Sequence, residues 1–258
     1  MNLINFKEHE LPMKELETIG LASRGQLLLN VTDLKALLSG RRTELIHLEN
    51  LETENIKVKS IDAKVSLRRN EQGKTELLIH PIYRKPATPD FLDVNEARQL
   101  EKGEVASLLK VTKDGKGNPQ ELLVEYDPET REFIVSDTEK ILVPDMVNSE
   151  FLTPAQKEAY RKGKEVKLAD GTILNYSGTD VNGIQSNRLA LVASILIDGG
   201  LSYMLYRGLH AAFGQEHDPD EAAFLSPGYH NAVTDLENDR PVVNNEHIQF
   251  QGRGRTSR

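Results

Sequence analysis

The sequence predicts an α+β protein assembled from repeated small modules, each a short helix followed by antiparallel strands. An apolar C-terminal helical segment and a disordered tail complete the expectation. Three observations carry it: helical runs that end in glycine, alternating strand-like runs after each glycine, and a change of composition near residue 186 and again near 214.

The helical runs come first. Phe91-Leu92 leads to Leu100-Glu101-Lys102-Gly103, and about 60 residues later Phe151-Leu152 leads to Tyr160-Arg161-Lys162-Gly163. A glycine there supplies the left-handed residue that closes a helix without a Cβ penalty. Asp93 stands where an N-cap belongs, and Thr153-Pro154 reads as N-cap and first helical residue. A looser copy runs from Thr32 to Gly40. The spacing suggests an internal repeat.

Strand-like runs follow each glycine. After Gly40 come Glu44 to Leu48, Ile56 to Leu67, a turn at Asn70 to Gly73, and Thr75 to Ile82. After Gly103 come Ala106 to Val111, the turn Asp114 to Pro119, Glu121 to Tyr126, and Glu132 to Val135. After Gly163 come Glu165 to Leu168, the Asp170-Gly171 turn, and Thr172 to Tyr176. Connections this short require antiparallel pairing. Prolines at 86, 89 and 144 mark boundaries, giving modules at 1–88, 89–148 and 149–214 and a tail at 215–258.

Ser186 to Phe213 is apolar, and it is expected to form a helix pair or broken helix packed on the sheets. Within it Leu189 to Tyr206 approaches the length of a membrane span, but Asp198 at its centre opposes insertion by roughly 2.5–3.5 kcal/mol. A packed or partner-binding segment is therefore expected over a membrane span. From Gly214 onward acidic residues dominate until Arg253, Arg255 and Arg258, and too little apolar material is present to offset ordering entropy. Within this tail Phe224 to Val233 is the sticky exception. Ile195, Leu201, Tyr203, Tyr206, Phe224 and Tyr229 form the expected partner surface.

Composition excludes several function classes. The 258 residues hold no cysteine, so disulfides, thiolate nucleophiles and cysteine metal sites are absent. No basic segment leading an apolar one opens the chain, and a cytoplasmic location is expected. Gly115-Lys116-Gly117 lacks phosphate-loop spacing, and no dinucleotide fingerprint, zincin, hydrolase-elbow or EF-hand pattern occurs. No catalytic residue, metal or cofactor is assigned.

His47 and His80, in strand-like runs, are the place to look for an unrecognised enzyme site, although satisfied sheet histidines are expected. Glu216-His217-Asp218 reads as a solvated acidic linker. Arg41, Arg42, Arg68, Arg69, Arg84 and Lys85 are the candidates for nucleic-acid contact if folding gathers them. The net charge of −8 opposes that reading for the chain as a whole.

Four pieces in order carry a family resemblance: Leu16 to Leu21; Leu37 to Gly40 with Thr43; Asp62 to Leu67 through Gly73 to Ile82; and Leu152 to Gly163. Over roughly residues 12–176 the chain resembles a bacterial domain-of-unknown-function family found on conjugative transposons and other mobile elements, sometimes beside topoisomerase-like or mobilisation proteins. The resemblance implies a setting in horizontal gene transfer and supplies no catalytic residues. The expected function is a non-catalytic interaction or scaffold protein of a mobile element, binding a protein partner. The alternatives are a nucleic-acid accessory factor and an enzyme with an unrecognised site.

Overall fold

Glycines in the left-handed region set where the chain turns from helix to sheet. The computed structural model describes residues 6–52, 57–197, 200–207 and 226–238. The described chain opens with α1 (Met13–Thr18) and a two-stranded ribbon, β1 (Ala22–Ser23) with β2 (Gln26–Leu27). Next comes α2 (Val31–Leu38), capped by the Asn30 side chain, which accepts the Asp33 N–H. It stops at Ser39-Gly40, where Gly40 has φ +73°.

The first sheet follows, with β3 (Ile46–Glu52), β4 (Lys57–Arg69) and β5 (Thr75–Pro81) in the order β3-β4-β5. Its core, including Leu16, Leu37, Leu48 and Val65, draws among the described residues on those between Phe6 and Leu77.

The second helix and sheet repeat this order of elements. α3 (Val94–Glu101) carries a capping box between Asp93 and Glu96 and closes on Gly103 at φ +68°. β6 (Ser107–Lys113), β7 (Pro119–Asp127) and β8 (Glu132–Asp137) pair in that order. β7 shows strand periodicity put to use on both sides. Val124 and Tyr126 join the α3 core with Leu100 and Phe133, while Leu123 enters the central core with Tyr160 and Leu174.

The third segment starts with the hairpin β9 (Met146–Val147) and β10 (Glu150–Phe151), whose turn residues Asn148 and Ser149 both have positive φ. α4 (Pro154–Arg161) has Thr153 and Gln156 as its capping box and ends on Gly163 at φ +66°. A Cβ on Gly163 would lie 3.1 Å from the Leu123 side chain, so glycine lets α4 seat on β7. β11 (Val166–Lys167), β12 (Ile173–Tyr176) and β13 (Ile184–Ser186) form a small antiparallel sheet. Every strand pairing in the described chain is antiparallel.

The apolar segment corrects the sequence reading. It is a hairpin, β14 (Ala190–Ile197) with β15 (Gly200–Arg207), and not a helix pair. Its register sets Ile197 opposite Gly200. Alternation is invisible in β14 because both faces are covered. Leu191 and Ala193 enter the central core, while Ala190 and Val192 meet Tyr229 and Ala232. Among the described residues no helix is long and apolar enough to cross a membrane.

A second correction concerns the tail. Pro227–Asn238 forms a helix, α5, where composition predicted disorder. Ser226 accepts the Tyr229 N–H and, with Asn148 and Asp170, forms a buried polar cluster under the helix start. Residues 208–225 and 239–258, with Phe224 and the Glu216-His217-Asp218 run, lie outside the described residues.

A Cβ on Gly228 would lie 2.6 Å from Asp170 Oδ2 and 2.8 Å from the Asn148 carbonyl oxygen. Gly228→Ala is therefore expected to destabilise the chain by about 1–3 kcal/mol in urea unfolding. Asn231→Ala, on the exposed side of α5, should stay within about 0.5 kcal/mol.

Candidate functional site: a cleft between the sheets

The site exists because β7 grips its neighbours through two buried carboxylates. Asp127, at the end of β7, is 1% exposed and lies 3.0 Å from the ammonium of Lys64 on β4. That ammonium also meets Glu129 at 2.7 Å. Burial opposes the charge of Lys64, but its hydrogen bond to the Glu129 carboxylate and the charge of Asp127 outweigh it and hold the group above the usual lysine range. Arg42 adds a 2.8 Å pair with Glu132 and a hydrogen bond to the Thr130 hydroxyl.

Charges buried this deeply are tolerated because each has its partner. Lys64→Ala leaves Asp127 buried with its main counterion gone, and it is expected to cost about 3–5 kcal/mol in chemical unfolding.

Glu125, two residues earlier on β7, faces the same side and holds the loop between β12 and β13. Its carboxylate accepts hydrogen bonds from the Ser177 hydroxyl at 2.8 Å and the Gly178 N–H at 2.6 Å. Burial lifts its pKa to about 7, against the pull of those donors, with the charge of Asp180 adding to the rise. The unfolded chain releases this proton near 4.5. At this site the folded chain thus binds more protons between the two values, and the stability this carboxyl contributes falls as pH rises from about 4.5 to about 7. Glu125→Gln should flatten that stretch of the stability–pH curve measured by thermal unfolding, removing a change on the order of 3 kcal/mol.

Between these grips lies a cleft of about 530 Å³ that continues into a smaller cavity of about 270 Å³; both are lined by Gly40, Arg41, Val135, Ser136 and Tyr176. Ile141, Leu142, Pro144, Ile184 and Ile195 give the larger cavity apolar walls. Consecutive residues Phe133 to Asp137 line the two cavities. Successive side chains of a strand point to opposite faces, so the cleft meets the edge of β8 and not one face. β8 ends its sheet, and that edge has no strand partner among the described residues.

Across the cleft, β3 pairs β4 only as far as Ala63, and Thr43 extends the ladder to Val65. Ser66 to Arg69 have a strand partner on the β5 side alone, and all four line the cavities. Leu67 turns its backbone groups the same way as Val65, toward the cleft.

The sequence candidates separate on this framework. Arg41, Arg42, Arg68 and Arg69 meet at the cleft. Arg84 and Lys85 lie exposed in the loop after β5. Arg68 is paired with Glu76, and Arg69 with Glu10 while lying over the Phe6 ring. Arg41 differs, since no carboxylate pairs with it among the described residues. Its Nε–H donates to the Val181 carbonyl at 3.1 Å, and its side chain lies flat against Gly183, where a Cβ would sit 2.7 Å from Arg41 Cδ.

Of the expected partner-surface residues, Ile195 lies buried in the cleft floor and Tyr229 buried under α5. Leu201, Tyr203 and Tyr206 lie on β15, whose side chains are outside the description.

The histidines do not share a pocket. His47 is exposed on β3, 2.7 Å from Asp62, and its pKa is raised by that hydrogen bond. His80 lines the smaller cavity, with Ser66 Oγ 2.8 Å from Nε2 and Glu132 3.4 Å from Nδ1. Burial, helped by Arg42, lowers its pKa.

Ser66, His80 and Glu132 stand in the order of a hydrolase triad. Gly40 N–H donates to Leu37, Arg41 N–H to Ala36 and Gly178 N–H to Glu125. Those three amides at the smaller cavity are thus engaged within the fold. No group of three or more metal-ligating side chains occurs among the described residues.

Taken together, these features define a mixed helix and antiparallel-sheet protein whose sheets share a cleft. Residues 6–89, about a third of the chain, match the family described as "Protein of unknown function (DUF4099)", a span that runs from the start of the first core to the loop beyond β5. No curated protein and no solved structure matches the chain.

Proposed function

We propose that the chain is a non-catalytic interaction protein that receives an extended segment of a protein partner in this cleft. One observation carries the reading: the unpartnered edge of β8 and the one-sided end of β4 both open into the same cavity. Unpaired strand edges are templates for strand addition, in which main-chain hydrogen bonds give affinity and side-chain pockets give selectivity. The cavity volume lies in the usual range for ligand sites.

The wider setting is also a proposal, that of a scaffold protein of a bacterial mobile element working in the cytoplasm. Its support is the sequence resemblance and the cysteine-free composition. We further read α2, α3 and α4 with their sheets as copies of one unit. The support is three eight-residue helices that each close on a positive-φ glycine and lead into a three-stranded antiparallel sheet.

A nucleic-acid accessory role is favoured by the gathering of four arginines at the cleft. It is outweighed because Arg42, Arg68 and Arg69 already face carboxylates and the chain carries a net charge of −8.

Selection of a randomised peptide display library on the full chain tests the reading. Recovered peptides should bind at least about tenfold more weakly to Val135→Arg, which loads a charged stem onto the β8 edge. Failure to recover peptides, or peptides indifferent to Val135→Arg, overturns it. Salt-dependent retardation of DNA or RNA at about 50 mM salt, lost on Arg68→Ala with Arg69→Ala, would favour the nucleic-acid role instead.

A further inference from the structure

The cleft is positively charged inside an acidic protein. Arg41, Arg68, Arg69 and Lys140 line its larger part against the single carboxylate of Asp137. Lys140 is held by Asp137, and the other two arginines by Glu76 and Glu10. The charge left over is that of Arg41.

Its placement is built from three sides. Gly40, at φ +73°, ends α2 and turns Arg41 inward. The Val181 carbonyl accepts the Arg41 Nε–H. Gly183, at φ +70°, has no Cβ and lets the guanidinium lie on the loop backbone. That loop is in turn fixed by Glu125 through Ser177 and Gly178.

With Nε occupied, the terminal nitrogens Nη1 and Nη2 have no hydrogen-bond partner among the described residues. They form a planar pair of donors spaced for the two oxygens of a carboxylate.

Resting on the strand-addition reading, we propose that Arg41 is the specificity residue of the cleft and selects a partner segment that presents an aspartate, a glutamate or a C-terminal carboxylate beside the β8 edge. The segment lies extended along Phe133 to Asp137, and one acidic group reaches the guanidinium. Tyr176 and the apolar walls take the neighbouring side chains. A lysine at position 41 keeps the charge and loses the fork, because its ammonium is a point charge and not a planar pair of donors.

The display selection decides this separately from the parent reading. Peptides recovered on the wild-type chain should carry an acidic residue, or a free C-terminus, at one fixed position. Exchanging that residue for its amide, or amidating that terminus, should weaken binding by about tenfold or more. The same selection on Arg41→Gln should return peptides with the same apolar pattern and no fixed acid.

Peptides that need the β8 edge but show no fixed acid overturn the role of Arg41 and leave strand addition standing. Recovery of no edge-dependent peptide overturns both. Two further outcomes also overturn the proposal: displacement of bound peptide by an oligothymidine at equal concentration, which would mean the guanidinium reads phosphate, and self-association abolished by Val135→Arg in sedimentation, which would make a second copy the occupant. The amide exchange in the peptide keeps the test valid even if Arg41→Gln perturbs folding, since it leaves the protein untouched.

Discussion

One face of one strand organises the molecule. Leu123, Glu125 and Asp127 alternate along β7, so their side chains leave the same side of the sheet. Leu123 takes up α4 through Gly163, Glu125 takes up the loop between β12 and β13, and Asp127 takes up β4 through Lys64. The opposite face, Val124 and Tyr126, is spent on the α3 core. A strand with two committed faces leaves its sheet only its edges to offer. β8 is the edge that borders the gap between the gripped neighbours.

This arrangement explains why the cleft is polar at its rim and apolar inside. Fixing neighbouring sheets through buried carboxylates, and not through a continuous apolar interface, holds them at a distance set by ion pairs and hydrogen bonds. The space left between them is walled by Val135, Ile141 and Ile195. Such pairs are costly to desolvate and contribute little net stability compared with apolar packing of the same volume. Their value here is positional. They define one relative placement of β4, β7 and the 177–183 loop, and with it the place of Arg41.

Much of the local structure was legible. The capping residues Asp93 and Thr153, the closing glycines 40, 103 and 163, and the turns at 70–73, 114–119 and 170–171 are short-range signals, and the chain obeys them. The apolar segment was misread because its burial is not local. β14 is covered by the central core on one face and by α5 on the other, so polar residues never alternate along it, and a continuous apolar run does not distinguish strand from helix. α5 was missed because its apolar content is small. Tyr229 and Ala232 suffice only because Ser226, Asn148 and Asp170 form a polar seat for the helix start.

By itself, then, the sequence determined the closing ends of α2, α3 and α4, most strand runs up to Tyr176, the antiparallel pairing and the absence of cysteine chemistry. Tertiary structure alone decided which of the four arginines at the cleft has no carboxylate partner among the described residues, and that the β8 edge borders the cleft. Arg42 and Arg41 are neighbours of identical chemistry, yet Arg42 is matched by Glu132, 90 residues away, while Arg41 meets the backbone of Val181, 140 residues away. No local pattern encodes that difference, because the pairing of a charge is settled by whatever the fold brings beside it.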